Sequence, residues 1–395
     1  MDVLNKHTAS TEDLQGSVYI GRGSPLGNPF PVGEEHGDNE EVVQKYRKHL
    51  AQKLISRDPK IENAIRSLSP DSRLVCFCKP KPCHGDVVKE FYYELHNGTD
   101  YDQALRAFKN KHNLDRLSYY PEDDGITHIN VWSKAKTPLG RSLSNFAHTP
   151  FDHPIHGRFS SIEGFWYWLS TGGTRNELRS VHGFQSKKLG RLIREELERA
   201  GGVPIVENFE AQIKKALLCK IEQNDSLRET LKNSDLPLTH YYVWGEPPNV
   251  KVTVPDSYSW IHEYLSDIRD WLNGKAYKLV IAGSRSIKEL SLVETAYNQA
   301  HMKAIEIVSG CAPGVDRLGE ELAKKLYLPI ERFPADWDNK GKAAGHIRNG
   351  QMAKYADAGL LVWDGVSPGT QSMIKQLEML NKPYFLSKIR EDPFL

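Results

Sequence analysis

Five short apolar runs in the last third of the chain constrain its fold more than any other feature. They read KLVIAGSR, IEIVSGC, LPIERFP, AGLLVWDG and KPYFLS, and segments of helical character separate them. Short apolar runs that alternate with helices are typical of strands buried on both faces of a parallel sheet. The sequence therefore predicts an α/β multidomain protein with a Rossmann-like, doubly wound parallel sheet over residues 275–395.

The ends of these predicted strands carry small and charged residues in place of apolar ones. In a doubly wound sheet the ligand lies beyond the carboxyl ends of the strands, where glycine-rich turns leave N–H groups free to bind phosphate. Ordinary tight turns between strands and helices would give similar glycines, and this alternative stays open. The candidate nucleotide-binding residues are Gly283, Ser284, Arg285, Ser309, Gly310, Gly314, Asp316, Asp336, Trp337, Arg348, Asn349, Gly365, Ser367, Gly369 and Thr370.

The blocks GSR, SGxAxGVD, PADW, GKAAGxxRN and GxSxGT of this region resemble the YspA-like branch of the SLOG superfamily. The resemblance implies a domain that binds or processes nucleotides or nucleotide-like ligands, and we expect any oligomer to form through it. Cytokinin-activating LOG enzymes of that superfamily use a catalytic Glu in a PGGxGTxxE motif. Here the run is SPGTQSM, without a carboxylate, so binding is favoured over catalysis, and Asp316 and Asp336 are the alternative acids.

The run SSIEGFWYWLS places one carboxylate, Glu163, directly before a series of aromatic residues. Ser160 and Ser161 precede the apolar run, which is a signal for the start of a helix, so we expect Glu163 in its first turn. The helix N-terminus lowers the pKa of such a group, whereas aromatic surroundings raise it by desolvation. Glu163 is therefore a candidate catalytic carboxylate, and a capping Glu beside core aromatics is the alternative.

Four separated blocks, SLSNF, SSIEGFW, KKALLCKIEQNDSLRETLKNS and YVWG, resemble the NADAR superfamily of YbiA-like N-glycosidases. The resemblance implies a mainly α+β domain over residues 126–274 that acts on ADP-ribose or NAD-derived metabolites, with Glu163 as the catalytic carboxylate. The family usually has Gln and Lys where this chain has Trp168 and Ser170, so the substrate is expected to differ. The candidate substrate-binding residues are Asn145, Phe146, Phe165, Trp166, Lys187 and Trp244.

Cleavage of an N-glycosidic bond develops positive charge on the sugar, which a fixed carboxylate stabilises without a cofactor. Residues 175–194 contain six basic residues and one acidic residue, a patch suited to a phosphate-bearing ligand or a nucleic-acid end. The same charges are equally typical of a solvated helix face. Two other functions therefore stay open, a non-catalytic sensor or sponge for a nucleotide signal and a DNA base-modification enzyme.

Residues 1–97 are predicted to form a small α/β domain with a Gly/Pro/Asn-rich loop, GRGSPLGNPF, that presents Arg22 and Asn28. Together with the later CxC and PCHGD blocks, this loop resembles a small domain common in phage and bacterial genomes. We expect the loop to face Cys83 and His84 and to bind a phosphorylated small molecule.

Three cysteines and one histidine lie close together in the sequence of this domain. Cys76, Cys78, Cys83 and His84 supply the ligand types of a Cys3His zinc site, although C-x-C is tighter than the usual C-x2-C and His84 directly follows Cys83. Two alternatives are a reactive thiol at Cys83, just before a helix, and three small buried hydrophobic residues.

Length and composition limit the remaining classes of protein. With 395 residues, a net charge of +1 and five cysteines, the chain is predicted to be a cytoplasmic protein of several domains and not a general nucleic-acid binder. We find no signal peptide and no apolar run long enough for a membrane span, and residues 98–125 are predicted to be a linker. The combination of domains resembles proteins of phage or of conflict systems.

Overall fold

The computed structural model describes residues 1–33, 37–55, 58–96, 104–105, 107–108, 111–112, 121–245, 250–255 and 257–389. It divides into two compact units, residues 1–129 with 243–253 and residues 130–242 with 254–395. Most of the predicted linker 98–125 lies outside the described residues. In the described part of the chain no helix has the length and apolar character needed to span a bilayer.

The first unit is built on a small parallel sheet in which Arg73–Cys76 pairs with Asp2–Asn5 on one side and Val18–Tyr19 on the other. Buried aromatic and aliphatic side chains of the flanking helices form its core. One further strand covers Lys251–Thr253, and Pro121–Asp123 forms a 3-10 turn. The helices of this unit are Thr11–Leu14, Asn39–Ile55, Pro59–Arg66 and His84–His96.

The central part of the chain consists of helices with short strands between them. The strands are Ile129–Asn130, Phe151–His153, Gly157–Phe159, Leu238–Thr239 and Tyr242–Trp244. The helices are Pro138–Leu143, Ile162–Ser170, Gly183–Arg199, Phe209–Glu222, Asp225–Lys232 and Ser259–Leu272, with a 3-10 turn at Asn176–Arg179.

The helix Ile162–Ser170 begins where the sequence predicts. The Ser161 hydroxyl accepts the N–H of Gly164 at 3.0 Å, which satisfies one of the free N–H groups of the first turn. Glu163 lies in that first turn, as expected. The helix packs closely on Gly183–Arg199 because Gly190 has no side chain: a Cβ there would come within 2.0 Å of the Tyr167 ring.

The last third of the chain is the predicted five-stranded parallel sheet. The strand order is 330–332, 304–309, 277–283, 358–363 and 384–388, so successive connections reverse direction between strands 277–283 and 358–363. This order places the topological switch point of a Rossmann-like sheet between those two strands. The helices around the sheet are Leu290–Ala300, Val315–Lys325, Trp337–Lys340, Ala344–Tyr355 and Pro368–Met379, with a 3-10 turn at Gly341–Ala343.

A buried polar network joins the central helices to this sheet. Lys215 of the helix Phe209–Glu222 donates to Glu306 at 2.5 Å and to Glu331 at 2.7 Å, and the Tyr355 hydroxyl donates to Glu306 at 2.6 Å. Glu306 has no exposed surface, so its charge depends on these partners. The predicted boundary at residues 274 and 275 therefore falls inside one compact unit.

Candidate active site and nucleotide-binding edge

Glu163 lies partly buried at the start of its helix, where its N–H donates to the Asn145 carbonyl at 2.9 Å. Burial raises the pKa of Glu163 to about 7, although the charges of Lys187 and Arg191 act to lower it. A carboxyl with this pKa exchanges a proton readily near neutral pH, which suits a general acid or base. Among the described residues Glu163 forms no salt bridge within 4.0 Å.

Two cations from the helix Gly183–Arg199 lie beside this carboxyl. The Lys187 ammonium is 5.6 Å from the centre of the Phe146 ring. Burial raises the pKa of Tyr167, and the charge of Arg191 opposes that shift. Lys187 and Arg191 are four residues apart and therefore share one face of their helix. The structure thus brings together Asn145, Phe146, Glu163 and Lys187 from the predicted substrate site.

Asn145 carries a polar atom that this fold leaves unused. Its side-chain Oδ1 is buried and has no hydrogen-bond partner among the described residues. The turn before it is held by Lys220, whose fully buried ammonium donates to the carbonyls of Leu143 at 3.1 Å and Ser144 at 2.9 Å. Burial lowers the pKa of Lys220 to about 7. A buried acceptor without a partner costs free energy unless a ligand supplies the donor.

Phe165 packs in the hydrophobic core. Its ring has no exposed surface and lies 4.9 Å from Phe159 and 6.1 Å from Phe151, which favours a core role over contact with a substrate. It belongs to a cluster that also contains Trp168.

Trp166, the next residue, points to a different environment. Its ring lies 4.8 Å from Phe209 and stacks on Trp260 at 6.1 Å. These rings, with Tyr258, line a cavity of about 460 Å³. Tyr258 and Glu163 both act electrostatically on Tyr242, and burial together with Glu163 raises the pKa of Tyr242. Glu163 is not itself among the residues that line this cavity.

Trp244 belongs to the other compact unit, and 56% of its side chain is exposed. Its assignment to the substrate site stays a prediction.

Three of the six cations in the basic patch predicted over residues 175–194 are engaged by neighbouring side chains. Arg175 pairs with Glu196 at 3.2 Å, Arg194 pairs with Glu198 at 3.1 Å, and the guanidinium of Arg179 lies over the Trp168 ring at 4.6 Å. Lys187 and Arg191 are the cations of the patch whose charges act on Glu163.

Sequence reasoning did not select Arg191, Tyr167 or Tyr242 for the substrate site. For two of them helical spacing is the signal: Tyr167 follows Glu163 by four residues and Arg191 follows Lys187 by four. For Tyr242 no local pattern points to Glu163.

At the switch point of the sheet, the turns after strands 277–283 and 358–363 are hydrogen-bonded to each other. The Ser284 hydroxyl accepts the N–H of Asp364 at 3.0 Å, and the Ser286 hydroxyl donates to Asp364 at 2.9 Å. Asp364 in turn accepts the N–H groups of Val366 at 3.0 Å and Ser367 at 2.9 Å. The predicted residues Ser284, Gly365 and Ser367 are thus held at the edge where such sheets bind nucleotides.

The glycines at this edge are required by close packing. Gly314 has φ of +79°, and a Cβ there would lie 2.4 Å from the Ser284 carbonyl oxygen. A Cβ on Gly283 would lie 2.0 Å from the Val362 carbonyl, and one on Gly310 would meet the Arg348 guanidinium at 1.8 Å. These glycines therefore bring the turns together, which agrees with the alternative of ordinary tight turns, and their contact with phosphate stays a prediction.

Asp316, Arg348 and Asn349 are buried, and polar contacts link them to one another. Arg348 pairs with Asp316 at 3.4 Å and donates to the Gly310 carbonyl and to Asn349, whose amide donates to the Gly369 carbonyl at 3.1 Å. Burial raises the pKa of Asp316 to about 6, and Arg348 opposes this shift. Arg348 was predicted to offer its charge to a ligand, but in the structure its guanidinium is paired with Asp316 and the Gly310 carbonyl.

The remaining predicted residues of this edge vary in exposure. Arg285 is exposed, and half of the Trp337 side chain is exposed, while Ser309 is buried and donates to Glu320 at 2.8 Å. Asp336 accepts the N–H of Asn339 at 3.2 Å and caps a short helix. Thr370 is buried, and its hydroxyl has no partner among the described residues.

The first unit contains a separate pocket of about 350 Å³. Arg22 and Asn28 of the glycine-rich loop line it, together with Cys76, Cys78 and His84. Asn28 holds the loop by accepting the Phe30 N–H at 3.0 Å. The loop and the cysteine cluster thus share one pocket, the arrangement expected for a small ligand.

The predicted metal ligands form a true cluster. The Sγ atoms of Cys76, Cys78 and Cys83 and one ring nitrogen of His84 all lie within 4.8 Å of one another, so these residues can hold a metal ion. Hydrogen bonds from Cys78 and Cys83 lower the pKa of Cys76 to about 2, and hydrogen bonds to Cys76 and Cys78 raise that of Cys83.

The fold and these sites together define a multidomain α/β protein with a nucleotide-related, Rossmann-like domain. Residues 277–339 match the model of the "YspA, cpYpsA-related SLOG family", which supports the resemblance seen in the sequence. Residues 3–94 match the model described as "Domain of unknown function (DUF4326)". Neither match extends over the central residues.

Through its N-terminal region the chain belongs to the DUF4326 family. It is 34% identical over 93 residues to an uncharacterized 12.4 kDa protein in the nrdA–td intergenic region of Enterobacteria phage T4, which covers 24% of this chain and 78% of that protein. No solved structure matches the chain.

Proposed function

We propose that the protein hydrolyses the N-glycosidic bond of an ADP-ribosyl or NAD-related compound, with Glu163 as the catalytic carboxylate. The observation that carries this proposal is a partly buried carboxyl whose pKa is raised to about 7 by burial, next to the cations Lys187 and Arg191. The motif resemblance of the central residues to NADAR N-glycosidases points to the same group.

In the proposed reaction Glu163 acts as a general base. Its carboxylate takes a proton from water while the water oxygen bonds to the anomeric carbon of the ribose. The carbon–nitrogen bond breaks, its electron pair goes to the base nitrogen, and the proton held by Glu163 passes to the leaving base. A pKa near the working pH allows the same group to accept and then return the proton.

The side chains around Glu163 fit the other parts of such a substrate. Lys187 and Arg191 supply positive charge for a phosphate or diphosphate. The unpaired Oδ1 of Asn145 accepts a ribose hydroxyl or a base N–H. The cavity beside Trp166 offers aromatic faces on which a base can stack.

A direct test is incubation of the purified protein with ADP-ribosylated guanosine, NAD and ADP-ribose, followed by mass-spectrometric detection of released base and sugar. Loss of a general base slows such reactions by about 10²–10⁴-fold, so Glu163→Gln should lose that much activity. Glu195→Gln, which changes an exposed acid of the neighbouring helix, is the matched control. Turnover that Glu163→Gln leaves unchanged would contradict the assignment.

A binding protein that sequesters a nucleotide signal is the second candidate, and the C-terminal domain favours it. The C-terminal domain lacks the catalytic Glu of LOG enzymes, and its two alternative acids already have partners. Asp316 pairs with Arg348, and Asp336 caps a short helix. If the same incubations return intact ligand at one equivalent per chain and no product, the protein is a sensor or sponge.

A further inference from the structure

The cluster of Cys76, Cys78, Cys83 and His84 is not used by the proposed glycosidase chemistry. Cys76 ends the strand Arg73–Cys76, and Cys78 lies in the turn that follows it. Cys83 directly precedes His84, the first residue of the helix His84–His96. The fold thus brings the end of a strand and the start of a helix together around four groups that all bind soft metals.

Two of the separations between these groups are close to those of tetrahedral coordination. Cys78 Sγ lies 3.9 Å and Cys83 Sγ 4.0 Å from His84 Nδ1. With Zn–S bonds of about 2.3 Å and Zn–N bonds of about 2.0 Å, the edges of a tetrahedron are about 3.5–3.8 Å. Cys76 and Cys83 have their Sγ atoms 2.8 Å apart, so a metal ion would require them to separate by about 1 Å.

His84 is oriented as a metal ligand. Its Nε2 lies 2.7 Å from the Ile20 carbonyl oxygen, which can only accept, so Nε2 carries the proton. Nδ1 then carries no proton and has a free electron pair. This nitrogen lies on the side of the ring that faces the thiols. A histidine that ligates zinc ordinarily donates its other N–H to a carbonyl or a carboxylate, and this outer contact fixes the ring.

The backbone adds support for negative charge on sulfur. The N–H of Cys78 donates to Cys76 Sγ at 3.4 Å, and the N–H of Gly85 donates to Cys83 Sγ at 3.3 Å. Such hydrogen bonds stabilise thiolates, the form of cysteine that binds a metal. Three small hydrophobic residues in a core would not need these contacts.

We propose that Cys76, Cys78, Cys83 and His84 bind one zinc ion. Binding exchanges the three thiol protons for Zn²⁺, and the neutral imidazole completes the coordination. Because four protein ligands leave no open position, the ion is structural and does not activate water.

The zinc ion would also shape the neighbouring pocket. His84 ties the cluster to Ile20, which immediately precedes Gly21 and Arg22 of the pocket-lining loop. Loss of the ion should therefore loosen this loop as well as the junction between strand and helix.

The test begins with metal analysis of the full-length protein, purified under reducing conditions without added metal. We expect about one zinc per chain, and Cys311→Ser, which removes a partly exposed thiol elsewhere in the chain, should retain it. Cys78→Ser and Cys83→Ser should each lose most of it. Since a ligand variant can fail to fold, the wild-type protein is also stripped with a chelator and titrated with Co²⁺, which should give thiolate charge-transfer absorption that saturates at one equivalent.

Three outcomes would overturn the proposal. One is a wild-type protein that contains no stoichiometric metal and gives no cobalt spectrum. The second is iron in place of zinc. The third is a Cys76–Cys83 disulfide that persists in the protein purified under reducing conditions. It would be seen as two missing free thiols after denaturation.

Discussion

Replacement of Glu163 by glutamine should stabilise the protein at alkaline pH. The pKa of Glu163 rises from the ordinary 4.5 to about 7 on folding, so its ionised form is disfavoured in the folded state. A folded pKa above the unfolded one means that the folded state binds more protons between these values, and stability falls as pH rises through them. At about 1.4 kcal/mol for each tenfold change in proton affinity, the loss is about 3 kcal/mol above pH 7.

Glu163→Gln removes this titration and keeps the size of the side chain. At about pH 8 the variant should be more stable than the wild type by about 3 kcal/mol, and at about pH 5 by less than about 1 kcal/mol. For a unit of this size each kcal/mol raises the Tm by about 2 °C, so the gain at the higher pH should be about 6 °C.

The assay is thermal unfolding followed by circular dichroism at both pH values. Glu195→Gln, an exposed acid on the neighbouring helix, is the control and should show little change at either pH. The reasoning is refuted if Glu163→Gln changes the Tm equally at both pH values, or lowers it at the higher pH.

Two further changes test the packing of the second unit. Lys215→Met leaves the fully buried Glu306 without its cation and should cost about 3–5 kcal/mol by chemical denaturation, much of which the double variant with Glu306→Gln should restore. Arg194→Gln, which breaks an exposed pair, should cost less than about 0.5 kcal/mol. Equal losses of stability in Lys215→Met and Arg194→Gln would show that the buried pair contributes no more than an exposed one. Gly314→Ala should destabilise more than Gly365→Ala, because both have positive φ but only a Cβ at 314 meets the Ser284 carbonyl; equal effects would exclude that contact.

The C-terminal fold was predictable because its signal is local. The three central strands are short, mostly apolar runs that are buried along nearly their whole length, so nearly every position in them favours an apolar residue. The start of the helix that carries Glu163 was equally local, since Ser161 caps the N–H of a residue three positions ahead.

The roles of individual side chains were less predictable. Phe165 and Trp166 are adjacent aromatic residues, yet one is fully buried in the core and the other borders a cavity, because neighbours on a helix point about 100° apart. The six cations of residues 175–194 looked equivalent, but acids from the same region and an aromatic face engage three of them.

The sequence by itself determined the parallel sheet, the capped helix with its carboxylate and the presence of metal-binding residue types, because each depends on the order of residues within one turn or strand. Only the tertiary structure decided the state of those groups. The pKa of Glu163 depends on burial and on cations from another helix. The guanidinium of Arg348 is paired with Asp316. His84 turns Nδ1 toward three thiols because its other ring nitrogen donates to the Ile20 carbonyl. These are distances between residues far apart in the chain, which no local pattern records.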